Sequence, residues 1–219
     1  AMTTIESLTL EVADTEAAHR FYTTAFGLDS QLRLRTAQAP ASGFRGFTLS
    51  LVVSQPADVN AFFDAAIAAG ATALKPAAKS LWGYGGVVQA PDGTIWQLAS
   101  SSKKDTGPAT RTFDELVLLL GVEDVSASKR FYGERGLTVA KGFGSKYAEF
   151  ASGSAPVKLA LYKRRGLAKV AGVSPEGSGS HCLAVNGGLG SFTDPDGFVW
   201  EDSATAPTLA EITEGMGTK

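Results

Sequence analysis

The sequence predicts an α+β protein of two tandem domains, each assembled from small strand–helix–strand modules. Three observations predict it. Residues 5–28 (IESLTLEVADTEAAHRFYTTAFGL) and 113–137 (FDELVLLLGVEDVSASKRFYGERGL) share one plan: an apolar strand, an Asp, a helix with Phe-Tyr, then Gly-Leu. A second landmark, APDGTIWQ at 90–97, returns as DPDGFVWE at 194–201. Between the copies, SSSKKDTGPATRT (100–112) has the Ser, Lys, Gly and Pro content of a linker. The boundaries follow: a first domain over 1–103, a linker over 104–112, a second domain over 113–206 and a tail over 207–219.

Each element has a local reason. From Ser7 to Val12 polar and apolar residues alternate, the period of a half-buried strand. Asp14 stands where an N-cap belongs, Ala18, Phe21, Tyr22, Ala25 and Phe26 form one helical face, and Gly27 can end the helix. LRLR and GFTLSLVVS read as strands, and 57–70 repeats the helix logic up to Gly70. LWGYGGVVQAPDGTIWQLA reads as two strands around a Pro-Asp-Gly turn. The second domain opens in the same way, and KYAEFASGSAPVKLALYKRR reads as a hairpin with Lys163, Arg164 and Arg165 on a solvated turn. Its second module passes from SGSHCLAVNGG to GSFTDPDGFVWED with no counterpart of the helix at 57–70.

Composition narrows the function classes. Twenty basic and twenty-two acidic residues leave a net charge of −2 over 219 residues, which gives nucleic acid and anionic membranes no electrostatic footprint. The single cysteine, Cys182, excludes disulfides within the chain and four-Cys zinc sites; beside His181 on a strand it points to the opposite face, so it reads as a core residue. His19 reads as a surface residue. No apolar run reaches a membrane span, and no signal pattern opens the chain, whose natural start is expected at Met2. A soluble, cytoplasmic protein is expected.

The duplicated strand–Asp–helix–Phe-Tyr–Gly-Leu unit, ending in (D/A)PDG-x-x-W-(E/Q), resembles the vicinal oxygen chelate superfamily. That group includes glyoxalase I, bleomycin-resistance proteins, fosfomycin-resistance enzymes and extradiol dioxygenases. The resemblance implies glyoxalase-like paired βαβββ modules that form curved mixed sheets around a cavity for a metal or a small molecule. It also implies metal ligands early in the first strand of a module and just after the aromatic that follows Asp-Pro-Asp-Gly. In the first domain those positions hold Ser7 and Gln97, with Phe47 in the second module's strand, a set that does not hold a divalent ion. In the second domain Val117 and the Ala160–Leu161 region offer nothing, whereas His181 and Glu201 match. Only an incomplete metal site results, with Glu201 also a candidate base. The simpler reading is that His181 bonds locally and Glu201 is a paired or solvated charge.

The aromatics Trp82, Tyr84 and Trp96, with Phe44 and Phe47 upstream, suggest flat walls for a planar molecule, with Ser7, Thr9, Glu11 and Gln97 as polar anchors. The expected function is therefore binding of a hydrophobic or planar organic ligand in the concave sheet cavity, with no cofactor. The alternatives are a metal-dependent lyase or dioxygenase using His181 and Glu201, and a structural or partner-binding duplicate without an open pocket. The chain is expected either as a monomer whose domains pair internally or as a homodimer.

Overall fold

The computed structural model describes residues 5–217, so the start expected at Met2 lies outside the described residues. The first half runs β1 (Ile5–Val12), α1 (Thr15–Phe26), β2 (Leu32–Thr36) and β3 (Ala41–Gly43). It continues as β4 (Phe47–Val53), α2 (Pro56–Ala68), β5 (Thr72–Ser80), β6 (Gly83–Gln89) and β7 (Ile95–Ser100). The second half runs β8 (Glu115–Val122), α3 (Val125–Glu134), β9 (Val139–Phe143), β10 (Tyr147–Phe150), β11 (Lys158–Lys163) and α4 (Arg164–Ala171). It ends as β12 (Gly177–Gly179), β13 (Leu183–Gly187), β14 (Phe192–Thr193), β15 (Val199–Glu201) and α5 (Leu209–Met216).

The repeated residues have repeated jobs. Asp14 and Asp124 hold extended dihedrals and cap α1 and α3, accepting the N–H groups of Ala17 and Ala127 at 3.0 Å. Gly27 turns left-handed at φ 62° and lets the Leu28 N–H reach back to the Tyr22 carbonyl. The Tyr132 hydroxyl donates to Asp194 at 2.6 Å and accepts the Trp200 indole N–H at 3.0 Å. The Tyr22 hydroxyl likewise donates to Asp92 at 2.8 Å and accepts from Trp96 at 3.3 Å. Helix and turn thus recur together because each tyrosine needs its turn's carboxylate and tryptophan.

Sheet pairing crosses the midpoint of the chain. The larger sheet has the order β5-β6-β7-β4-β8-β11-β10-β9, with β4 and β8 antiparallel at its centre and Leu49 opposite Leu118. The smaller has the order β14-β15-β13-β1-β2, with β1 antiparallel to β13 and Leu8 opposite Val185. β1–β2, β4–β7, β8–β11 and β13–β15 are parallel pairs, one for each module. The first module therefore joins the last, and the two middle modules join each other. One continuous core links Leu8 and Leu10 of the small sheet, Leu49 and Leu51 of the large one, and Phe26, Phe62 and Tyr132 of α1, α2 and α3.

As the sequence suggests, no helix lies between β13 and β14. Three local readings change. Lys163, Arg164 and Arg165 do not sit on a solvated turn; they lead into α4, and Arg164 is part-buried, donating to the carbonyls of Phe44 and Pro175. His19 is buried rather than on the surface, because the tail folds as α5 and brings Leu209 O and Thr213 Oγ1 within 3.2 and 2.8 Å of its Nε2. The linker is polar but anchored on the start of α2. Asp105 accepts the Ala57 N–H, Gln55 bonds the backbone of Thr106, Gly107 and Pro108, and Asp58 accepts the Thr110 N–H. Among the described residues no helix is long and apolar enough to cross a membrane.

Candidate ligand site

The strand period places Ser7, Thr9 and Glu11 on one face of β1, away from the helix-packed Leu8 and Leu10. Their neighbours across the sheet are Asn186, Arg33, Arg35 and Glu201. Ser7 and Thr9 donate to Asn186 Oδ1 at 3.2 and 2.8 Å, and Arg33 Nε donates to Ser7 at 3.0 Å. Arg35 bridges two carboxylates, reaching Glu11 Oε2 at 2.9 Å and Glu201 Oε1 at 3.0 Å. Ser7 and Thr9 are buried under this polar layer and do not line an open apolar pocket. Gln97, expected beside them, lies on β7 in the other sheet, where it donates to Thr48 at 3.0 Å. The two arginines escaped the sequence reading, although alternation in LRLR opposite Ser7, Thr9 and Glu11 was a usable signal.

His181 and Glu201 do not make a metal site as they stand. The His181 Nδ1 and Nε2 lie 2.7 and 2.9 Å from the carbonyls of Arg45 and Asp196, and its ring stacks on Phe198 at 3.9 Å between centroids. Both ring nitrogens are thus turned to acceptors, and the Glu201 carboxylate is held by Arg35. A divalent ion needs several lone-pair donors converging with an open position, and this set does not fit one. Among the described residues no three His, Cys, Asp or Glu side chains form a group that could hold a metal.

The inner face of the large sheet is partly filled. Leu167, Ala168 and Ala171 of α4 pack there on Val87, Ile95, Val117, Leu119 and Ala160, with Phe44 beside them. Phe47 and Trp96 belong instead to the main core, on the helix side of the sheet. Tyr84 also faces the helices, donating its hydroxyl to Asn60 of α2 at 2.8 Å. The expected cluster of Phe47, Trp82 and Tyr84 in one concave pocket therefore does not form: Phe47 and Tyr84 face the helices, whereas Trp82 stands in the β5–β6 turn, outside the strand alternation.

An aromatic cleft remains at the rim. Trp82, at the β5–β6 tip, is 82% exposed, and Phe143, at the β9–β10 tip, is 70% exposed. β5 and β9 are the opposite edges of the large sheet, yet both tips line one cleft of about 560 Å3 with Lys146, Tyr147 and Tyr162. Tyr147 and Tyr162 meet edge to face at 5.4 Å, and Phe143 lies 6.3 Å from Tyr147. Behind them the Tyr147 hydroxyl donates to Glu149 at 2.7 Å, and Lys158 pairs with Glu149 at 2.5 Å and with Glu115 at 3.7 Å. Burial and the neighbouring Glu149 push the Tyr147 hydroxyl well up, so it stays a neutral donor. Burial would raise the Glu149 carboxyl, but its bonds from Lys158 and Tyr147 hold it below the ordinary range. The cleft offers flat apolar walls with fixed charges at its back. Of its residues the sequence pointed only to Trp82. The others come together through sheet curvature, which no local pattern reports.

The sequence matches no protein-family profile. A search of curated proteins also finds no match. Solved structures do match. Glyoxalase I from Zea mays is 16% identical, covers 99% of this chain and 96% of its own, and superposes with a TM-score of 0.60. A mutant form of the same maize enzyme gives 15% identity, 97% and 96% coverage and a TM-score of 0.60. A putative dioxygenase from Bacillus subtilis is 12% identical, with 89% and 72% coverage and a TM-score of 0.53. At such identities the likeness is one of architecture. Over nearly its whole length, this chain has the fold of glyoxalase I, a curved mixed-sheet architecture.

Proposed function

We propose that the protein binds a small, flat organic molecule in the rim cleft, between Trp82 and the Phe143–Tyr147–Tyr162 wall, without a metal. The observation that carries this reading is the pair of exposed aromatics, brought from opposite sheet edges to one cleft of about 560 Å3. Large apolar side chains held in water at two turns cost solvation, and a ligand sandwiched between them recovers it. α4 closes the deeper part of the cup, so the ligand enters from the rim and rests against the tyrosines.

Fluorescence and calorimetry test it. Trp96 and Trp200 are buried, so quenching by an added aromatic reports Trp82. With 2-naphthol and naphthalene-2-carboxylate as probes, saturable quenching is expected, unchanged after EDTA treatment. Trp82→Ala and Phe143→Ala should each weaken calorimetric binding about tenfold, the scale of one lost aromatic contact. Absence of saturable binding by both probes, or affinity that depends on added metal, overturns the proposal.

A further inference from the structure

We infer that the first half carries a second binding site, distinct from the aromatic cleft, for a small apolar molecule bearing an ammonium group. The two halves provide an internal comparison. In the second half the Asp196 carboxylate ties the Pro-Asp-Gly turn to the start of α3, accepting the Glu123 N–H at 2.9 Å and the Ser128 hydroxyl at 3.4 Å. It is free to do so because Asp194, two residues earlier, takes the Tyr132 hydroxyl. In the first half Ala90 stands at the Asp194 position and Ala18 at the Ser128 position. Tyr22 therefore takes Asp92 instead, and the carboxylate spends its oxygens on the Tyr22 hydroxyl and on Thr94. The Ala13 N–H, in place of that of Glu123, does not donate to it.

Where the second half has this tie, the first half has a gap. It is a cavity of about 310 Å3 between the end of β1, the first turns of α1, residues 37–41, the Pro91-Asp92 turn and Cys182. Its walls are mainly apolar and small, with Ala17, Ala18, Ala39 and Pro40 around the Phe21 ring, which suits a compact apolar body. Two carboxylates, Asp14 and Asp92, line it against one cation, Arg45, while Glu11 at its edge is paired with Arg35 at 2.9 Å. Arg45 is turned to the Asp92 carbonyl at 2.8 Å, whereas Asp14 uses only Oδ1 in capping α1. The charge left facing the mouth is negative, and it selects a cation.

Calorimetric titration of the intact protein with 2-phenylethylamine and with 2-phenylethanol tests the site, with the alkylation rate of Cys182 by iodoacetamide as a local reporter. The amine should bind saturably and slow alkylation severalfold, and the alcohol should bind about threefold more weakly, the scale of one exposed charge contact. The double substitution Ala18→Ser with Ala90→Asp gives the first half the closing chemistry of the second and should abolish binding. Ala17→Phe, which fills the cavity from α1, should abolish it as well and decides the matter where the double variant does not fold. Trp82→Ala should bind the amine like the parent. No saturable binding of the amine, or full binding in Ala17→Phe, overturns the site; equal binding of the alcohol overturns the ligand class.

Discussion

Asp58 on α2 is 1% exposed and accepts the Thr110 N–H at 2.7 Å and the Gln55 amide at 3.0 Å. Burial alone would raise its carboxyl, but these bonds to the charged form win and hold it below the ordinary carboxylate range. A carboxylate lowered by folding contributes stability above its unfolded value and loses it as pH falls through the folded one. Asp58→Asn should therefore cost about 2 kcal/mol at neutral pH and flatten the acid limb, measured as urea midpoints at pH 7 and pH 3. The tyrosine anchors permit a second expectation. Removing either hydroxyl leaves a tryptophan N–H unpaired and takes one donor from a turn carboxylate, at roughly 1–3 kcal/mol. Tyr132→Phe should cost more than Tyr22→Phe, because its bonds are shorter and Asp194 is buried; thermal unfolding of the two variants ranks them. These anchors were legible as repeated letters, since duplication preserved both partners. The Arg35 bridge was not, because it joins β2 to β15 and depends on a pairing that spans the chain.

At the scale of elements, α4 had no strong sequence signal. RRGLAKVA begins with two cations, carries a glycine and is only two turns long, so propensity does not declare it a helix. The surface beneath it does: Leu167 is fully buried between α4 and the inner face of the large sheet. Leu167→Ala should cost about 3 kcal/mol by denaturant unfolding, the ordinary toll of a buried leucine cavity. The α1 and α3 helices were readable in full, because cap, apolar face and glycine punctuation all agree. α5 shows the opposite case. Its residues looked like a loose tail, and its anchors, Leu209 in the core and His19 on α1, lie in parts of the sequence that carry no mark of each other.

For the whole molecule, the count of modules was legible and their pairing was not, since all four begin with a similarly apolar strand and local pattern does not choose among partners. The structure chooses first with last and second with third, and the core runs through both halves. Fragments 1–103 and 113–219 should therefore each fail to show a cooperative thermal transition alone, and should regain one when mixed; independent folding of either would contradict a shared core. The same pairing bears on how the chain is born. Ser7 and Asn186 are hydrogen-bonded neighbours 179 residues apart, so β1 leaves the ribosome long before the strand it bonds with. The two middle modules are contiguous, and their eight-stranded sheet can assemble while synthesis continues. Until β13 emerges, β1 waits with an unpaired edge, which makes the opening module the segment most exposed to aggregation in any prematurely ended chain.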